Sequence, residues 1–262
     1  MEIKPITLAT LTPEGARGAA ARELCGHFEL LAQQINSACE IRSVAGGPGS
    51  PQQLLDTAAE FLRAFERLDA EFGDNGKLPV EDAANLGNYC LHCLAELGGW
   101  MPRLGLATLA GGLERLIIGA ALWSIRHQCE IAAPEPVINA LANLANDSTT
   151  RQDLAAIYGL MQGLAGAVPA ALQADLERSD PQRPWRILLL NMAMVAIRTQ
   201  DVPMMLHAFD LVGRHLPDEA PGFFAEAAQK ARHPAFADEV RGLLQAEHAR
   251  WTTSADRAII KS

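Results

Sequence analysis

Apolar segments of helical period, each about 10 to 18 residues long, succeed one another along this chain, and proline or glycine stands at most of the joins. Nine prolines (134, 136, 169, 181, 184, 203, 217, 221 and 234) punctuate the second half. Proline fits the first turn of a helix and breaks its interior, so these positions mark starts and ends. Helices joined by so few residues must lie antiparallel to their neighbours. Alternating runs of β-branched residues are missing, and aromatics are sparse (two Tyr, four Trp, eight Phe) beside abundant Ala and Leu. The expected fold class is therefore all-α, built from antiparallel helix pairs that form either an α-solenoid or a compact multi-helix bundle.

The first long helix is expected to start at Thr12 with Pro13 in its first turn, and Leu24, Phe28, Leu31 and Ile35 then share one face. The glycine-rich segment 44–50 ends it. Ser50, Pro51 and Gln53 signal the start of a second helix carrying Leu54, Leu55, Ala58, Phe61, Leu62, Phe65 and Leu68. The turn GDNG at 73–76 precedes a third, opened by Pro79, with Leu86, Tyr89, Cys90, Cys93, Leu94 and Leu97 on its stripe and Gly98 and Gly99 at its end. Further helices are expected within 103–130 and near 135–146, 150–166, 169–178, 184–199, 202–216, 219–231 and 235–251. This pattern predicts an N-terminal helical lobe over 1–100, a C-terminal helical-repeat lobe over 101–251 and a mobile polar tail over 252–262.

Charge and cysteine content narrow the function classes. The formal net charge is −9 and only four of the 22 basic residues are lysine, so no cationic tract is available to follow a phosphate backbone, and nucleic acid is not an expected partner. Arg178, Arg183 and Arg186 read as a solvated helix-loop-helix corner. Five scattered cysteines and an opening without an apolar leader predict a reduced, cytoplasmic protein. The most apolar stretch, near 104–123, carries Glu114 and Arg115 at its middle and is expected to be a buried helix rather than a membrane span.

No constellation forces a chemistry. Cys90-Leu91-His92-Cys93 has the local spacing of a zinc or redox pair but no second half, and its mid-helix setting predicts core cysteines. The seven histidines form no HExxH or HxH pattern, and the glycine loops lack the Lys-Ser/Thr ending of a phosphate loop. Glu66, Asp69, Glu71 and Asp74 lack the ligand alternation of a calcium loop and read as a solvated helix end. Catalysis is thus unsupported, and neither metal nor cofactor is expected.

The segment 188–217 resembles a single tetratricopeptide-type repeat. Leu189, Met192 and Ala193 occupy the large, large and small positions of its first helix, Asp201 falls in the turn, Phe209 is the aromatic of the second helix and Pro217 closes the unit. Ala196 and Met205 depart from the family pattern, and weaker echoes extend the resemblance over the C-terminal half. The resemblance implies a scaffold or adaptor that holds a protein or peptide in a concave groove, with Leu190, Met194, Ile197 and Arg198 facing the partner. The alternative is an all-α enzyme or small-ligand protein with a pocket between the lobes near Trp100, Trp123 and Trp185, and a homo-oligomer is a third expectation.

Overall fold

The computed structural model describes residues 21–73, 78, 81–174 and 180–259. The starts at Thr12 and Pro79, the turn residues 74–76, Arg178 and the last three residues of the tail lie outside them. The protein is all-α: eleven α-helices and no strand occur among the described residues. They are α1 (Ala21–Ile41), α2 (Pro51–Phe72), α3 (Glu81–Trp100), α4 (Ala110–Arg126), α5 (Glu135–Asp147), α6 (Arg151–Ala167), α7 (Ala170–Gln173), α8 (Pro184–Thr199), α9 (Val202–His215), α10 (Ala220–Lys230) and α11 (Asp238–Ile259). The chain divides into two compact units, one of residues 1–148 and 159–174, the other of 149–158 and 175–262. The first runs across the boundary expected at 100, because α3 and α4 on either side of it pack together.

In the first unit α1, α2 and α3 pack as consecutive antiparallel neighbours, and α4 packs on α1, α3 and α5. Burial of Leu113, Leu116, Ile117, Ile118, Ala120, Ala121 and Trp123 makes α4 the central helix. The stretch 107–126 is long and apolar enough to cross a membrane by composition, and half of it is covered by its neighbours within the protein. Close approach is built in at Gly119, where an added Cβ would lie 2.4 Å from Cδ2 of the fully buried Leu24. Gly119→Val should therefore push α1 off α4 and cost about 2 kcal/mol, read as a lowered urea midpoint with an unchanged slope.

The sequence signals of α1 and α2 act as expected. Leu24, Phe28, Leu31 and Ile35 are all buried, and Ser50 caps α2 by accepting from the Gln53 backbone N–H at 3.4 Å while Gln53 Oε1 accepts from Gly49 N–H at 2.8 Å. Two details differ. Tyr89 is 60% exposed and stacks on Phe61, since the buried face of α3 runs through Ala83, Gly87, Cys90, Leu94 and Leu97 and Tyr89 sits about 100° away from it. Helix α11 continues past Trp251 to Ile259, with the Thr252 and Thr253 hydroxyls donating back to the carbonyls of His248 and Ala249.

The second unit contains two helix pairs, α8 with α9 and α10 with α11. Gln200 takes the left-handed conformation at φ 56°, and Asp201 then caps α9 by accepting from the Met204 N–H at 2.9 Å. Phe209 and Phe224 meet edge to face at 5.0 Å, and Trp251 stacks over Phe224.

Candidate functional site

Helices α1 and α2 bury one shared side against the rest of their unit and leave a cleft along the other. Its walls follow helical spacing: Cys25, Glu29, Gln33 and Asn36 on α1, and Asp56, Ala59 and Arg63 on α2. Phe28, Leu55 and Leu62 form an apolar floor, and the small side chains of Ala32 and Ala59 keep its middle low. The cavity measures about 240 Å³ and is open along its length. From Cys25 to Asn36 it extends about 16 Å at 1.5 Å per residue, three helical turns. A second hollow of about 410 Å³ shares Asn36 as a wall and continues past Cys39 and Glu40 to the loop at 43–46.

The polar groups of this groove are unevenly distributed. Glu29 and Asp56 line it against one lining guanidinium, Arg63, and Glu40 lines the adjoining hollow. The Asn36 Oδ1 atom is buried and finds no donor among the described residues. Nearby Arg42 is committed elsewhere, its Nε–H donating to the Leu104 carbonyl at 2.9 Å. Burial, reinforced by Glu66 and Glu29, pushes the Cys25 thiol up to about 11, so at neutral pH it is a protonated thiol and a poor nucleophile.

The other cysteines follow the same rule. Cys90 and Cys93 are buried in α3, and burial raises both thiols, consistent with core packing rather than redox exchange. Among the described residues no group of three or more His, Cys, Asp or Glu is arranged to hold a metal ion.

Asp69, expected on a solvated helix end, instead belongs to a polar cluster inside the first unit. Trp123 Nε1–H donates to Asp69 Oδ1 at 2.8 Å, and His127 Nε2 meets the same oxygen at 2.9 Å. Arg126 Nη2 stands 4.0 Å from the other oxygen. Burial opposes ionisation of Asp69, but the hydrogen bonds from His127 and Trp123 and the Arg126 charge hold its carboxyl below the ordinary aspartate range. Asp69 extends the buried stripe Leu62–Phe65 by one turn, and that register was the available signal. A carboxylate that orients an imidazole is half of a catalytic triad, but His127 has no exposed side-chain surface, and its ring meets at a tilt the Trp123 ring that stacks on Phe65. The arrangement tethers the end of α2 to α4.

The residues singled out around 188–217 are not grouped as expected. Ile197 follows Ala193 by one turn and faces the core with it, 5% exposed, which removes it from the partner-facing strip. Leu190, Met194 and Arg198, at steps of four, form a half-buried stripe on α8. Arg183 and Arg186 both pair with Glu219, the first at 2.7 Å, so this corner is an internal ion-pair network. Tyr158 and His207 share a hydrogen bond of 2.6 Å, and burial pushes the phenol up to about 12. Trp123 and Trp185 are core residues, and Trp100 donates its indole N–H to the Gly49 carbonyl at 3.2 Å.

The groove escaped sequence reading because its lining is the flank of α1 and α2 beside their apolar stripes, and no single residue in it is unusual. Compared with known proteins, the chain matches no family, no curated sequence and no solved structure.

Proposed function

We propose that this protein is a helical scaffold that captures a segment of a partner protein, and that the groove between α1 and α2 is where it does so. The observation that carries the reading is the groove's form: an open, three-turn channel with an apolar floor, small residues at its centre and polar rims. A side-chain row from a docked segment fits such a channel, as in helix-in-groove recognition. The raised Cys25 thiol speaks against nucleophilic catalysis there. The tetratricopeptide-like pattern at 188–217 agrees with a role in partner binding and offers the Leu190, Met194 and Arg198 stripe as the competing surface.

The test separates the two surfaces. A photo-crosslinking side chain placed at Gln33, on the groove rim, should trap a partner from source cells. Ala59→Trp, which fills the channel, should abolish trapping, whereas Met194→Asp should leave it intact. Trapping only from a second crosslinking side chain placed at Leu190, and its loss in Met194→Asp, would move the site to α8; no trapping from either position would reject the scaffold reading. Circular dichroism should report unchanged helix content and melting for each variant used.

A further inference from the structure

We infer that the occupant of the α1–α2 groove is an amphipathic helix bearing a basic residue at one end, which it sets beside Asn36, Glu40 and Asp56; this rests on the groove reading above. Three observations carry it. The first is charge: Glu29 and Asp56 in the groove and Glu40 in the adjoining hollow outnumber the lining cation Arg63, and Arg63 stands two turns along α2 from Asp56, away from the loop end. A cation entering at the loop end therefore meets carboxylates without meeting Arg63. The second is the Asn36 Oδ1 atom, a buried acceptor with no donor among the described residues. An ammonium or guanidinium N–H at this end would give that amide the partner it lacks once the half-buried side chain turns toward the groove. The third is the walls themselves. Two helices have already satisfied their backbone groups, so an extended peptide would gain no main-chain hydrogen bonds of the kind a sheet edge offers. A helix brings its own backbone satisfied and presents only side chains, and Ala32 and Ala59 lower the floor where its axis would cross.

The geometry also fixes the pattern the partner should carry. Apolar residues at i, i+3, i+4 and i+7 would meet Phe28, Ala32, Ala59 and Leu62, and a Lys or Arg about one turn beyond would reach Asn36, Glu40 and Asp56.

The experiment is a display selection of random peptides on the purified full chain, with counter-selection on Ala59→Trp so that only groove-dependent binders survive. The survivors should show helical apolar spacing followed by Lys or Arg, and should bind a Glu40→Gln/Asp56→Asn double variant roughly tenfold more weakly, with the loss shrinking at high salt. Groove-dependent binders without a basic residue, or with affinity unchanged by the double variant, would overturn this inference while leaving the groove reading in place. A selection that yields no groove-dependent binder would overturn both. Asn36→Ala should weaken the basic binders and leave the melting temperature of the free protein unchanged or higher, because it removes an unsatisfied acceptor.

Discussion

Asp69→Ala is expected to lower the stability of this protein by about 3 to 5 kcal/mol, a large share of the margin a folded domain has. The substitution leaves the Trp123 and His127 donors aimed at an empty position in the interior and removes the counter-charge of Arg126. Asp69→Asn keeps an acceptor oxygen while removing the charge, so its loss should be smaller, about 1 to 2 kcal/mol. Urea unfolding followed by circular dichroism measures both. Equal losses in the two variants would show that the charge, and not the shared acceptor, holds α2 to α4.

The same carboxyl gives the protein a defined acid dependence. Asp69 is depressed in the folded state, so its contribution is complete above the ordinary aspartate value of about 4 and disappears as the pH falls through the lower, folded value. Stability profiles of the wild type and Asp69→Asn should therefore run apart at neutral pH and converge in acid. Parallel profiles would mean that other carboxylates dominate the acid limb.

How far the fold could be read from sequence depended on whether a residue's role was set within its own helix. Leu24, Phe28, Leu31 and Ile35 needed nothing more than periodicity, and Ser50 with Gln53 needed only the local geometry of a helix start. Asp69 was harder, since a carboxylate within an acidic run reads as solvated until Trp123 and His127, more than fifty positions away, are known to face it. Tyr89 failed for the opposite reason: an aromatic beside an apolar stripe reads as core, but the register of α3 is fixed by Gly87, which allows Ser124 of α4 to approach within 2.3 Å of where a Cβ would be. The groove was least legible. It is a surface between two helices, and its character comes from Ala32, Ala59 and Asn36, residue types that carry no motif. The repeat-like pattern at 188–217 drew attention to α8, where Ile197 proved to belong to the core.

A second large effect is expected from Phe224→Ala in α10. Phe224 is fully buried, meets Phe209 of α9 edge to face at 5.0 Å and stacks with Trp251 of α11 at 6.4 Å, so one ring supports contacts from both neighbouring helices. Trp251 in turn lies so close to Gly213 that an added Cβ would stand 2.9 Å from its ring, which leaves the indole little room to slide into the vacated volume. A void that cannot collapse carries both the transfer and the cavity cost, about 3 to 5 kcal/mol for loss of a buried phenylalanine ring. Helix α11 should feel it most, because among its described residues only Val240 and Leu244 are buried and Trp251 is half-buried. Hydrogen exchange is the direct measurement: amides of 240–250 should lose protection well before those of α8. Uniform loss in both helices would show that α11 unfolds only with its unit, and a change below about 1 kcal/mol would show that Trp251 does repack over the cavity.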